Sequence, residues 1–229
     1  FGQHYAGNEL FADEMGGAVM PHAKKYYANI LMHFSPQVLK LVETVKELGL
    51  EFNLICPDHG VYWRKEIHQI IDAYVDWANQ ERVRKAVLVY DSMWQSTEKM
   101  ANAIASCIAD KGVEVRPMTL RKWHRSDVMT EVMDAGAIIV GSPTLNNNIF
   151  PTVADMLVYM KGLRPQNKLA AAFGSYGWSG EAVKLINAEF EAMKLEIADP
   201  GLRIKFVPDN EGLEQCYAWG QKLGAAISA

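Results

Sequence analysis

The feature that most constrains this chain is a rhythm beyond residue 83, where short apolar β-rich runs alternate with helical patterns. The runs are Ala86 to Tyr90, Val113 to Met118, Ala137 to Val140, Leu169 to Phe173 and Ile204 to Val207. Between and after them apolar residues recur at helical spacing: Met100, Ile104, Cys107 and Ile108 share one stripe, and Leu213, Cys216, Tyr217, Gly220 and Ile227 share another. Parallel neighbours cannot be joined by a tight turn, so strands alternating with helices predict a five-stranded parallel α/β sheet, doubly wound. Pro117 adds a condition, because a proline cannot donate to a ladder and belongs at a sheet edge or strand end. The order 2-1-3-4-5 puts its strand at the edge.

A polar stretch, Asn79 to Lys85, interrupts the apolar pattern and sets a domain boundary near residue 83, giving parts 1–83 and 84–229. In the first part Ser35-Pro36 opens a helix with the stripe Val38, Leu41, Val42, Val45 and Leu48, closed by Gly49. Phe52, Leu54 and Cys56 then alternate with Asn53 and Ile55, which predicts a strand ending at Pro57-Asp58-His59-Gly60. A further helix carries Ile67, Ile70, Ile71, Tyr74 and Ala78. So little strand would struggle to close a core alone. The chain also opens Phe1-Gly2-Gln3-His4 without a methionine, and we expect it to be part of a longer protein.

Composition is that of an ordinary globular chain, with 49% apolar and 22% charged residues. A net charge of −4 and scattered Lys and Arg argue against a polyanion-binding surface, so nucleic acid is not an expected partner. No apolar run approaches the roughly 18 residues of a membrane span, and no signal pattern opens the chain. Cys56, Cys107 and Cys216 are far apart, which offers neither a disulfide framework nor a local zinc or iron–sulfur motif. Cys107 and Cys216 read as core. The expected setting is a reducing cytoplasm, with no membrane anchor.

In an open parallel sheet, ligands bind beyond the carboxyl ends of the strands, near the point where strand order reverses. The loops that should meet there read Asp91-Ser92-Met93-Trp94-Gln95-Ser96-Thr97, Gly141-Ser142-Pro143-Thr144-Leu145-Asn146-Asn147-Asn148, and Gly174-Ser175-Tyr176-Gly177-Trp178-Ser179-Gly180. Ser92, Ser96 and Thr97 stand just before a helix, where free N–H groups and the helix dipole favour a phosphate. Simple N-capping is the other reading of such a cluster. There is no G-x-x-x-x-G-K and no G-x-G-x-x-G, which disfavours ATP, GTP and NAD. Trp94, Tyr176 and Trp178 supply flat faces for a planar ring, while Asn146 and Asn147 offer donors and acceptors to its edge. A planar, phosphate-bearing ligand fits these loops.

The stretches Ser92 to Met100, Gly141 to Asn147 and Phe173 to Glu181 resemble the flavodoxin domain of flavodiiron proteins. The resemblance implies a flavodoxin-like domain in which Ser92, Met93, Trp94, Ser96 and Thr97 cradle the FMN phosphate and nearby ring. It further implies that Pro143, Thr144, Leu145, Asn146, Ser175, Tyr176, Gly177, Trp178 and Gly180 line the isoalloxazine. Before the boundary, Pro57-Asp58-His59-Gly60 resembles the stretch supplying the last histidine ligand of a non-haem di-iron site, in the C-terminal part of a metallo-β-lactamase-like αββα domain. His59 would be that ligand. The family's H-x-E-x-D-H motif, further histidine and bridging aspartate are not in this sequence, and Phe1-Gly2-Gln3-His4 resembles the residues just past that aspartate.

The activity so implied is reduction of dioxygen to water or nitric oxide to nitrous oxide. Electrons would be relayed by FMN from a small donor such as a rubredoxin, in a head-to-tail homodimer or homotetramer. Two other readings compete: a stand-alone flavodoxin-like electron carrier, and a receiver-like signalling module. The latter would need an aspartate after the third strand, where this chain has Gly141-Ser142.

Overall fold

The structure is a computed structural model that describes residues 2–229, and the chain divides into two compact units, Phe1–Glu81 and Arg82–Ala229. The first unit contains α1 (Val19–Tyr26), which runs into a π-helical turn, then α2 (Ser35–Glu47) and α3 (Ile67–Asn79). Its core is aromatic. Tyr27 packs edge-on against Tyr74 at 4.9 Å, and its hydroxyl lies 2.9 Å from that of Ser35, which satisfies two buried polar groups at once. Burial pushes the Tyr74 phenol well above its ordinary pKa, so it stays a donor and acceptor of hydrogen bonds rather than an anion.

Two expectations for this unit need correction. The alternation over 52–56 does not form a strand, and this stretch carries only one isolated bridge, Ile55 to Trp63. A pleated run needs a continuous ladder to satisfy its backbone, and here Phe52 and Leu54 stand exposed instead. The α2 stripe likewise buries only Val42 and leaves Leu41 and Leu48 exposed.

The second unit is the doubly wound sheet. Its elements in order are β1 (Lys85–Tyr90), α4 (Ser96–Ala109), β2 (Glu114–Thr119), α5 (Arg125–Met133), β3 (Ala137–Gly141), β4 (Thr144–Leu145), β5 (Asn148–Ile149), α6 (Pro151–Leu163), β6 (Leu169–Tyr176), α7 (Ala182–Ala192), β7 (Glu196–Ile197), β8 (Leu202–Lys205) and α8 (Asn210–Ser228). The main sheet runs β2-β1-β3-β6, with β7 and β8 both on β6 and all pairs parallel. Pro117 sits in edge strand β2, opposite Leu88. The fifth position differs from expectation because Asp199-Pro200-Gly201 breaks it in two. One piece, β7, pairs with Leu169 and Ala170, whereas β8 pairs from Phe173 to Tyr176. Phe206 and Val207, expected within that strand, lie beyond it.

One face of the sheet is covered by α4 and α8, whose Met100, Ile104, Ile108, Cys216, Trp219 and Leu223 join the main core cluster. Gly220 allows this close approach, since a Cβ there would come within 2.9 Å of both the Cys107 Cβ and the Ile104 carbonyl. Cys107 and Cys216 are core residues, and burial raises both thiols, that of Cys216 to about 11. Among the described residues no helix is long and apolar enough to cross a membrane.

Candidate functional site

The chain steps out from β1 to β2 on one side and returns to β3 on the other, so strand order reverses between β1 and β3. Past the end of β1, Asp91 is buried. Its carboxylate accepts hydrogen bonds from the Ser92 N–H (2.7 Å), Arg121 Nε (2.9 Å) and the Thr152 hydroxyl (2.7 Å). A second Arg121 nitrogen donates to the Ser92 carbonyl. The arginine fork therefore fixes the loop through both a side chain and the backbone, and the buried charge is fully partnered. The Ser92 hydroxyl is a different case: it is buried and has no hydrogen-bond partner among the described residues. Gln95 then caps α4 in a left-handed conformation (φ 65°); its carbonyl accepts from the Lys99 N–H (2.9 Å), but its side chain makes no capping bond to the N–H groups of the first turn.

Past β3, the Ser142 hydroxyl donates to the Pro143 carbonyl (2.9 Å) and accepts from the Phe150 N–H (3.0 Å). β4 and β5 form a hairpin whose two central residues, Asn146 (φ 50°) and Asn147 (φ 57°), have the two positive φ angles of a type I′ turn. Near the carboxyl end of β6, Gly174 packs so closely on the loop after β3 that a Cβ would lie 2.1 Å from the Ser142 carbonyl oxygen. The Thr97 and Ser175 hydroxyls, 3.0 Å apart and buried, join α4 to the end of β6.

These loops enclose a cavity of about 400 Å³ lined by Met93, Trp94, Ser96, Pro143, Thr144, Ser175, Tyr176, Gly177, Phe206 and Val207. None of them carries a charge. On the other side of Met93 and Trp94 lies a second cleft, also about 400 Å³, with Ser92, Glu98, Arg121 and Lys122 on its wall. Both volumes are within the usual range for a small-molecule site. Of the lining residues Trp94 is 81% and Phe206 63% exposed, and Trp178, next in sequence to the lining residue Gly177, is 93% exposed.

Residues 88–220 match the flavodoxin family model. Over 230 residues the chain is 45% identical to a nitric oxide reductase from Moorella thermoacetica, a match that covers 100% of this chain and 58% of that protein. It superposes on rubredoxin oxygen:oxidoreductase from Desulfovibrio gigas with a TM-score of 0.96 and 42% identity, covering 99% of this chain and 57% of the other. The chain belongs to the flavodiiron protein family. A flavodiiron protein from Giardia intestinalis gives a TM-score of 0.93 at 37% identity, covering 100% of this chain and 57% of that one. The chain thus spans rather more than half the length of the flavodiiron relatives it matches.

Of the residues that the flavodiiron resemblance nominated, Met93, Trp94, Ser96, Pro143, Thr144, Ser175, Tyr176 and Gly177 come together on the uncharged cavity. Ser92 lines the adjoining cleft instead. Thr97 is fully buried and off the cavity lining, with its hydroxyl engaged by that of the lining residue Ser175. Leu145 and Asn146 lie in the hairpin, Trp178 projects outward, and Gly180 (φ 74°) sits behind the Tyr176 ring, so these four are not on the cavity lining.

The sequence does not mark Phe206 and Val207 as lining residues, because their apolar run reads as strand. Their position after the fifth strand was the available signal, since every carboxyl-end loop of such a sheet can reach the ligand. Asp91 and Arg121 also received no role from sequence, being 30 residues apart.

In the first unit His59 is exposed, its carbonyl accepts from the Gln3 N–H (3.2 Å), and its ring lies 6.1 Å from that of Tyr26. Among the described residues no three His, Cys, Asp or Glu side chains are grouped so as to hold a metal. These residues do not by themselves fit a di-iron centre.

Proposed function

We propose that residues 84–229 bind FMN and pass electrons through it, as the flavin domain of an oxidoreductase that reduces dioxygen or nitric oxide. One observation carries this reading. An uncharged, aromatic-walled cavity adjoins a loop that holds a buried, unpartnered Ser92 hydroxyl ahead of a helix whose cap makes no side-chain bond. Those groups fit a phosphate with a flat ring attached, because the loop offers donors without a lysine and the cavity offers area without charge.

FMN, when bound, accepts and releases electrons singly or in pairs, so it can join a one-electron donor to a multi-electron reduction. The residues supply binding and orientation. Ser92, Ser96 and the first turn of α4 would hold the phosphate, with the Asp91–Arg121 pair keeping their loop in place. Trp94 and Tyr176 would flank the ring and keep water from its faces, and Pro143 and Thr144 would lie at its edge.

The names of the relatives supply the partners: a small donor of the rubredoxin class, and dioxygen or nitric oxide as acceptor. In this reading residues 1–83 are the end of a metallo-β-lactamase-like domain, and His59 is one ligand of a non-haem di-iron site completed by residues outside this sequence. Similarity that extends through the first unit favours this reading over a free-standing carrier. The exposed aromatics on the cavity lining suit a surface covered in a head-to-tail homodimer or homotetramer. Mixing the FMN-loaded chain with reduced rubredoxin under anaerobic conditions tests the relay. Rapid bleaching of the flavin is expected, and a flavin that stays oxidised would contradict it.

A further inference from the structure

We propose that Phe206, in the loop after the split fifth strand, is a wall of the ring pocket held there by strained backbone; this rests on the FMN reading above. Phe206 lines the cavity beside Tyr176 and Gly177 yet remains 63% exposed, so it has not been placed there by core burial. Its φ is +63°, a left-handed conformation that L side chains adopt at a cost.

The other described non-glycine residues with positive φ are Glu, Gln, Asn, Arg or Lys; Phe206 is the aromatic exception. Strain persists where the surroundings over-determine it, and the surroundings here do so. The Phe206 N–H donates to the Tyr176 carbonyl at 2.7 Å, one step past the last β6–β8 pair. The ring lies along Gly177, where a Cβ would stand 3.7 Å from it, and the Lys205 ammonium sits 5.1 Å from its centroid. An apolar ring that gains little burial from its own fold, fixed at a cavity wall, is suited to burial by a ligand. The ligand class is the planar heteroaromatic ring of a flavin, and the contact is with the ring rather than the phosphate.

The test titrates FMN and riboflavin separately into flavin-free protein of the full 229-residue sequence, unaltered and as Phe206→Gly and Phe206→Tyr, alongside thermal unfolding of each flavin-free form. Phe206→Gly removes the ring and relieves the strain together. It is expected to weaken both flavins alike, by about tenfold, while the unfolding temperature holds or rises. Phe206→Tyr should restore most of the affinity.

Unchanged affinity in Phe206→Gly would overturn the proposal. So would a loss confined to FMN, which would place the effect at the phosphate, or a loss accompanied by a lower unfolding temperature and no recovery in Phe206→Tyr, which would make the residue structural. If the unaltered protein binds neither flavin, the FMN reading itself falls and takes the proposal with it, a result unlike any of the others.

Discussion

A buried hydroxyl with nothing to bond costs on the order of 1–3 kcal/mol, and the Ser92 hydroxyl has no partner among the described residues. If the phosphate of FMN is its partner, Ser92→Ala should weaken FMN by about tenfold and leave riboflavin binding unchanged, with no loss of stability in the flavin-free protein. Equal effects on both flavins, read from titration, would exclude that role. Arg121→Ala should also act through the phosphate. Freed from the fork, the Ser92 carbonyl and the Asp91 carboxylate lose their fixed geometry, and FMN affinity should drop by about three- to tenfold, again without effect on riboflavin. The Ser/Thr cluster was legible in sequence because residue type alone announces hydroxyls before a helix. The Asp91–Arg121 bond was not, since it joins two loops that only strand order brings together.

At the scale of elements, the broken last strand is the feature most dependent on a single side chain. Asp199 accepts from the Gly201 N–H (2.8 Å), the Trp219 indole (2.8 Å) and the Lys222 ammonium (2.6 Å), which ties the β7–β8 break to α8. Burial alone would raise its pKa, but these donors more than offset that and hold the carboxyl below its ordinary value. A depressed folded pKa means stability that is present above the unfolded value and lost as pH falls through the folded one. Asp199→Asn should therefore lower stability by about 1–2 kcal/mol at pH 7, and the deficit should narrow below the ordinary carboxylate range in urea titrations.

Alternation of strand and helix made most of this architecture readable in advance. The hairpin Thr144–Ile149 was not read, although Asn146-Asn147 is a pair suited to a two-residue type I′ turn. β propensity carries the last run on to Val207, whereas pairing with β6 covers Leu202 to Lys205, because propensity does not reveal where a partner strand stops. The run at 52–56 failed for a related reason: alternation describes a strand's faces but not whether a neighbouring strand exists.

Across the whole second unit, the candidate site lies at the carboxyl ends of the strands, whereas the amino ends hold two buried lysines. Lys85 is paired with Glu131 and Asp134. Lys168 donates to the Met133 carbonyl, and its pKa is lowered to about 8 chiefly by burial, with Arg82 and Lys85 adding to the effect and Asp134 opposing it. A lysine whose folded pKa lies below its unfolded one disfavours folding while charged, so its contribution improves as pH rises from about 8 toward 10.5. Relative to Lys168→Met, the unaltered protein should gain stability across that window, and a flat difference in denaturant titrations would contradict the assignment.

The FMN assignment belongs to the other end of the sheet, and titration of flavin-free protein with FMN, followed by equilibrium dialysis against riboflavin, puts it to the test. One FMN should bind per chain, with a clear preference over riboflavin that falls by about tenfold in Ser92→Ala. Failure to bind FMN, or equal affinity for the two flavins, would contradict it.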